Sequence, residues 1–164
     1  MTIRKIVSGL LVAAAAVCAS TVGAVATGDF KSGNWTGYAV FNNNGFSLCR
    51  MSASYTNSYK LTFGISRTES VLIAISNSTW TLNNVGNEVS MRLQIDDLPA
   101  LVRQARVIDK ITVALNFTDS DYFYQRLRSG RSLRIAVGTA SRSFSLQGTS
   151  AALNRLLTCV RTYK

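Results

Sequence analysis

"NEVSMRLQI", residues 87–95, is the stretch that decides the fold. Its apolar side chains occupy every second position, at Val89, Met91, Leu93 and Ile95, and polar side chains stand between them. Successive side chains of a strand point to opposite faces of a sheet. The alternation therefore predicts a β-strand with one buried face and one face in solvent.

The same period of two recurs along the chain. Further strands are predicted at 35–41, 46–55, 61–65, 71–75, 111–117 and 133–137. Asn44-Gly45 between the first two of these is a pair that type I′ turns favour, so these two strands are expected to form a hairpin. Cys49 shares the apolar face of its strand with Met51 and Ala53, which indicates that the cysteine points into the core.

Two short helices are predicted between the strands. In "DDLPALVRQA" (96–105) the apolar residues follow helical spacing, with Asp97 as the N-cap and Pro99 in the first turn. In "DSDYFYQRLRSG" (119–130) Phe123 and Leu127 lie one turn apart, and Gly130 is a natural stop.

A third helix is predicted at the end of the chain, in "GTSAALNRLLTCV" (148–160), with Thr149 or Ser150 as its cap. Its apolar stripe consists of Leu153, Leu156, Leu157 and Val160. The predicted fold class is therefore α+β, mainly an antiparallel β-sheet of about seven or eight strands with two short helices and a C-terminal helix packed on it.

The N-terminus has the features of a Sec-type secretory signal peptide. Arg4 and Lys5 precede an apolar segment, and Ala24-Val25-Ala26 offers a small-residue cleavage site. We predict a signal peptide over 1–26, with an uncleaved anchor as the alternative. Residues 27–164 are predicted to form a single disulfide-linked β-rich domain. The mature protein is expected in the periplasm or secreted, with no transmembrane span. Cys18 would be lost with the signal.

Two cysteines then remain, Cys49 and Cys159. An even number of cysteines in an exported chain indicates a disulfide, and two cysteines allow only one intramolecular pairing. The bond would close a loop of 110 residues and tie the last helix to an early strand. A free or intermolecular thiol is the alternative.

The composition restricts the chemistry that the chain can perform. It contains no histidine, which argues against Cys/His zinc sites and excludes Ser-His-Asp and Cys-His catalysis. Neither phosphate-binding glycine motif is present. We therefore predict no catalytic residue, no metal site and no cofactor. Asp96-Asp97 is the only adjacent acidic pair, and the predicted helix cap and the turn before it account for both residues.

The mature chain is strongly basic, with a net charge of about +8. Four arginines lie within nine residues of each other, at Arg126, Arg128, Arg131 and Arg134, and further basic residues that could join them in space are Arg103, Arg106, Lys110 and Arg142. Guanidinium groups suit phosphate and carboxylate ligands, so the four arginines are a candidate anion-binding site. The alternative is a solvated surface that keeps the protein in solution. The spacing matches no nucleic-acid module, and export argues against nucleic acid as a partner.

The tail "FSLQGTSAALNRL" (144–156), together with "VSMRLQID" (89–96), resembles the invasion-associated locus B family of small bacterial periplasmic proteins. Thr149 stands where that family tends to have an aromatic residue. The resemblance implies a periplasmic, non-enzymatic protein with a role at the envelope or at the host interface, and it transfers no functional residue.

Three functions are compatible with the sequence. The first is an exported, non-enzymatic binding protein whose partner is an anionic envelope component or an acidic protein. The second is a carboxylate-dependent enzyme acting on a glycan or peptidoglycan, which requires two acids from different elements in one pocket. The third is a structural or assembly subunit of an envelope complex, which requires a large apolar patch or a free edge strand. The sequence favours the first, and the oligomeric state stays open.

Overall fold

The computed structural model describes residues 25–117 and 121–164. Ten strands and two helices follow one another in the order β1 (Val25–Ser32), β2 (Trp35–Asn42), β3 (Gly45–Ser54), β4 (Tyr59–Ser66), β5 (Val71–Asn77), β6 (Glu88–Ile95), β7 (Leu101–Asp109), β8 (Thr112–Phe117), α1 (Asp121–Ser129), β9 (Ser132–Val137), β10 (Ala140–Ser145) and α2 (Thr149–Tyr163). The predicted signal peptide falls almost wholly in residues 1–24, outside the described part. Neither described helix is long and apolar enough to span a membrane.

All ten strands form one antiparallel sheet in the order β1-β2-β3-β4-β5-β8-β7-β6-β9-β10. The prediction of an α+β fold dominated by an antiparallel sheet is confirmed. The predicted number of strands, seven or eight, is too low, because the sheet has ten. The sequence pattern had missed β1, β7 and β10. The strand β10 reads "ASRSFS", in which Phe144 is the only large apolar residue, so it shows no alternation.

The predicted helix over 96–105 is wrong, because residues 96–100 form a turn and an irregular link and residues 101–105 begin strand β7. Leu101, Val102 and Ala105 fit helical spacing, but β7 pairs with β6 over residues 101–106 and with β8 over residues 106–109. Helical propensity is a weak preference that such tertiary pairing overrides. Asp97 consequently caps no helix.

The hairpin of β2 and β3 is confirmed, although its turn is not of type I′. Asn42 pairs with Gly45, so Asn43 and Asn44 form the connection. Gly45 has a φ of 93°, whereas neither asparagine has a positive φ. A left-handed glycine after two turn residues is typical of a type I turn followed by a bulge.

One apolar core joins the inner face of the sheet to both helices. The helix α2 packs on β1–β4 with its predicted stripe, of which Leu153, Leu156 and Val160 are buried and Leu157 is half-buried. The cap of α2 is Gly148, with a φ of 78°, rather than Thr149 or Ser150. The helix α1 contacts α2, and the Tyr124 hydroxyl donates to the Leu153 carbonyl at 3.0 Å.

The predicted disulfide is present. Cys49 of β3 and Cys159 of α2 are bonded, with their Cα atoms 6.1 Å apart. Cys49 is fully buried on the inner face of its strand beside Met51 and Ala53, as the alternation predicted. The bond therefore fastens the C-terminal helix to the inner face of the sheet.

Candidate functional site

A groove opens where β7 and β8 separate. Their paired register ends at Arg106 and Ala114, so residues 101–105 have no partner in β8. The two strands, the turn before β7 and the helix α1 enclose a volume of about 670 Å³, which we call the α1 groove. Small-molecule sites in proteins have volumes of this order.

The floor and walls of the α1 groove are largely apolar. They include Leu93, Leu98, Leu101, Phe117 and Phe123. The rings of Phe117 and Phe123 stack with their centroids 4.9 Å apart and their planes at 16°, so β8 and α1 form one continuous aromatic wall. An apolar ligand surface would be desolvated against this wall.

Arg103 contributes a positive charge from the inner face of β7. It pairs with Met91, which is fully buried, and it alternates with the buried Ala105 and Val107. Arg103 is nevertheless exposed, because the groove leaves this part of the inner face open to solvent. An arginine at an inner-face position is unusual, since such positions normally carry apolar side chains.

Arg126 supplies a second positive charge from α1. Its guanidinium lies over the ring of Tyr122 at 4.8 Å from the centroid, and Tyr122 is 68% exposed. Both residues line the α1 groove. Among the described lining residues of the groove there is no carboxylate. Arg126 also lines a neighbouring depression with Asp96 and Asp97 without forming an ion pair with them, and Arg103 donates one hydrogen bond to the Val102 carbonyl at 2.9 Å. Both guanidiniums therefore keep further donors for an anionic ligand.

The other three predicted arginines lie elsewhere. Arg128 is half-buried on α1 and does not line the α1 groove. Arg131 is exposed in the turn after α1. Arg134 is on the outer face of β9, beside Arg92 in a separate shallow depression. The structure thus brings Arg126 and Arg103 into one groove and does not bring the four predicted arginines into one pocket.

Asp96 has a structural role that the sequence did not indicate. Its carboxylate accepts hydrogen bonds from the backbone N–H groups of Ser132 at 2.8 Å and Arg131 at 3.2 Å, and from the Ser132 hydroxyl. These hydrogen bonds, led by the one from the Ser132 backbone, hold the pKa of Asp96 below its usual value. The residue connects the turn before β7 to the turn before β9.

The remaining described acids are dispersed. Glu69 pairs with Lys164, Asp109 accepts a hydrogen bond from the Ile111 backbone, and Glu88 lies opposite Arg106 on the outer face. Within residues 25–117 and 121–164 no group of acids or cysteines could hold a metal ion. Lys164 is the only lysine or arginine of these residues in an ion pair.

The sequence contains a signal for the α1 groove in the segment whose spacing also fits a helix. In "LVRQARV" (101–107) Arg103 interrupts an alternation of Leu101, Ala105 and Val107. If the segment is taken as a strand, a lone arginine among inner-face positions marks an opening in the core. Sequence spacing alone predicts Arg103 only as a possible neighbour of the four arginines.

Comparison with known proteins supports the fold and not a function. A scan against protein-family models gave no match, and neither did a search of curated proteins. Among solved structures, the chain is similar to the crystal structure of invasion associated protein b from Bartonella henselae, with a TM-score of 0.60 and 18% sequence identity. The match covers 84% of this chain and 100% of that one. At this identity the similarity shows a shared fold alone, in agreement with the weak resemblance in the tail.

Proposed function

We propose that this protein is an exported, non-enzymatic binding protein of the bacterial envelope, and that its α1 groove takes an amphipathic anion. The observation that carries the proposal is the pairing of an apolar groove with the two guanidiniums of Arg103 and Arg126. The disulfide supports the proposed location, because such bonds persist in oxidising compartments such as the periplasm.

The chemistry of the groove defines its ligand. The aromatic wall would bury an acyl or similarly apolar part, while Arg103 and Arg126 would bind a phosphate or carboxylate at the rim. Envelope lipids and their fragments combine these two parts. The ligand class follows from the groove, and the name of the structural neighbour contributes nothing to it.

A segment of a partner protein is the second candidate ligand. The edge of β7 at residues 101–105 has no partner in β8, and an extended peptide can pair with such an edge. An acidic, apolar peptide would use the same two arginines. This binding mode would place the protein in an envelope complex without requiring a large apolar surface.

The enzyme alternative finds no support in the described residues. A carboxylate enzyme of this type needs two acids from different elements across a pocket. Asp96 and Asp97 do line one small depression, but they come from the same turn, and Asp96 is engaged by backbone N–H groups.

Binding of dodecyl phosphate below its micelle concentration tests the proposal, with dodecyl maltoside as the uncharged match. Calorimetric titration of the mature protein should show binding of the phosphate and a weaker response to the maltoside. Arg126→Gln and Arg103→Gln should each weaken binding of the phosphate roughly 10- to 150-fold, the range expected for losing a hydrogen bond to a charged group.

Arg128→Gln is the matched control, because Arg128 is on the same helix and does not line the groove. It should leave the affinity within about twofold. Equal losses in Arg126→Gln and Arg128→Gln would indicate general charge attraction and would contradict the proposal. No binding of dodecyl phosphate, together with capture of an acidic peptide that depends on Arg103, would favour the partner-protein alternative.

A further inference from the structure

A second concave surface lies on the outer face of β1–β4, away from α2 and the α1 groove. It encloses about 660 Å³. Its cations are Lys31, Arg50 and Lys60, and hydroxyl-bearing side chains form the floor between them. We call this surface the outer basic face.

Strand register arranges the outer basic face in rows. Arg50 pairs with Tyr38 in one row, and Ser54 pairs with Lys60 in another. Between these rows lies a third that runs across four strands through Lys31, Thr36, Ser52 and Thr62. Arg50 and Ser54 are four residues apart on β3, so the outer rows are separated by about 13–14 Å at ~3.4 Å per residue.

The charges on this surface have no counterpart within the described chain. Lys31, Arg50 and Lys60 form no ion pair with any described carboxylate, and no acid lines the depression. Arg50 instead lies over the Tyr38 ring, 4.6 Å from its centroid. Charges of one sign spread over one face create a positive potential that attracts a polyanion.

We propose that the outer basic face binds an acidic glycan chain. The three cations are spread over three rows, the outer two about 13–14 Å apart, and an extended polymer with repeated charges matches this spread better than a single small anion does. The Thr36, Ser52 and Ser54 hydroxyls between the cations match the hydroxyl groups of a sugar chain, since each can donate and accept a hydrogen bond.

The same surface is poorly suited to other polyanions. Tyr38 is the only aromatic residue among its lining residues, and Arg50 already covers its ring, so there is no platform on which successive bases could stack. The lining residues include no aliphatic side chain that could enter a bilayer. Nucleic acid and membrane are thus disfavoured as ligands, and the experiment includes both as competing polyanions.

The test measures binding of the mature protein to polygalacturonate, with dextran as the uncharged glycan. The variant carries Lys31→Gln, Arg50→Gln and Lys60→Gln. The matched control carries Arg67→Gln, Lys110→Gln and Arg155→Gln, three exposed cations outside the depression that remove the same charge. We expect roughly tenfold or greater loss of affinity in the first variant and less than about threefold in the control, since exposed ion pairs each contribute modestly.

Several outcomes would overturn the proposal. They are no binding of polygalacturonate, equal loss in both triple variants, or equally tight binding of phosphatidylglycerol vesicles or a thymidine oligonucleotide through the same three residues. Circular dichroism and melting checks that both variants are folded. If the triple variant does not fold, Lys60→Gln alone should weaken polygalacturonate binding about two- to threefold, and an unchanged affinity would contradict the proposal.

Discussion

Asp96 connects two turns that are 35 residues apart in the sequence. Its backbone is left-handed, with a φ of 46°, which aspartate tolerates better than most residues because its short side chain can bond locally. Here the side chain accepts hydrogen bonds from Arg131 and Ser132 instead. A single carboxylate thus continues the pairing of β6 with β9 into the two turns that precede β7 and β9.

The protonation of Asp96 should make the stability of the protein depend on pH. Its pKa in the folded state lies below its ordinary value of 3.8. A depressed pKa means that the ionised form favours folding, so this contribution is present above pH ~4 and is lost as the pH falls below it. Urea unfolding at pH 7 and pH 3 should show a smaller loss on acidification for Asp96→Asn than for the native chain. An identical loss in both would contradict this role.

Thr149 is a second residue whose environment carries a prediction. It is fully buried, and its hydroxyl has no hydrogen-bond partner. A buried hydroxyl without a partner is costly, so Thr149→Val, which keeps the shape, should raise the free energy of unfolding by about 1 kcal/mol. Thr158→Val on the same helix is the control, since the Thr158 hydroxyl is exposed and bonds to the Asn154 carbonyl. Chemical denaturation measures both, and a less stable Thr149→Val would show that the hydroxyl is satisfied.

At the scale of elements, α2 holds the sheet through packing and through one covalent bond. Its apolar stripe covers β1–β4, and the Cys49–Cys159 disulfide joins it to β3.

The helix α1 ends close to β6, and Gly130 after the helix makes this close approach possible. A Cβ there would lie 2.6 Å from Ile95, so the glycine after α1 is needed for close approach to β6 and has no positive φ.

Reduction of the disulfide should destabilise the protein strongly. The bond closes a loop with a sequence separation of 110 residues. Restricting the unfolded chain in this way is worth at most roughly 4–5 kcal/mol. Urea unfolding with and without a phosphine reductant should show a loss of several kcal/mol. The Cys49→Ala, Cys159→Ala double variant should show the lower stability in both conditions. Equal stability of the oxidised and reduced native chain would contradict the prediction.

At the scale of the whole molecule, β1 and β10 are the edge strands of the sheet, with one neighbouring strand each. Each has a feature that disfavours pairing with another sheet. The strand β1 contains an irregularity between Thr27 and Phe30. The strand β10 is held against the β3–β4 turn, where the Tyr55 hydroxyl donates to the Ser145 carbonyl at 2.9 Å and Arg142 donates to Thr56. Such features hinder pairing between sheets.

The exposed apolar residues Val102 and Ile108 share the outer face of β7. Gln104 and Arg106 lie between them, so the two do not form a continuous apolar patch.

The net positive charge should make the folded state sensitive to salt. With one ion pair among the described residues, most of its cations repel one another without compensation. Compactness increases this repulsion, and salt screens it. The melting temperature should therefore rise by about 2–5 °C between 20 and 300 mM NaCl. Calorimetry at both concentrations measures it, and a melting temperature that falls with salt would show that attractive pairs dominate.

The period-two alternation in segments such as residues 87–95 was sufficient to predict a mainly antiparallel sheet and seven of its ten strands. Cys49 and Cys159, the two cysteines outside the predicted signal peptide, were sufficient to predict the disulfide, because two cysteines allow one pairing. Both are local or combinatorial properties, and they can be seen without knowing which strands are neighbours. The same is true of α2, whose apolar stripe and Cys159 were identified from spacing.

Only the tertiary structure decided that β7 is a strand, that β7 and β8 separate, and that Arg103 meets Arg126 in the α1 groove. It likewise decided that Arg134 faces away from that groove and that the Asp96 carboxylate accepts a hydrogen bond from a backbone N–H group 35 residues away. These features depend on contacts between segments that are distant in sequence. Periodicity describes which way a side chain points from its own element, and it carries no information about what lies opposite.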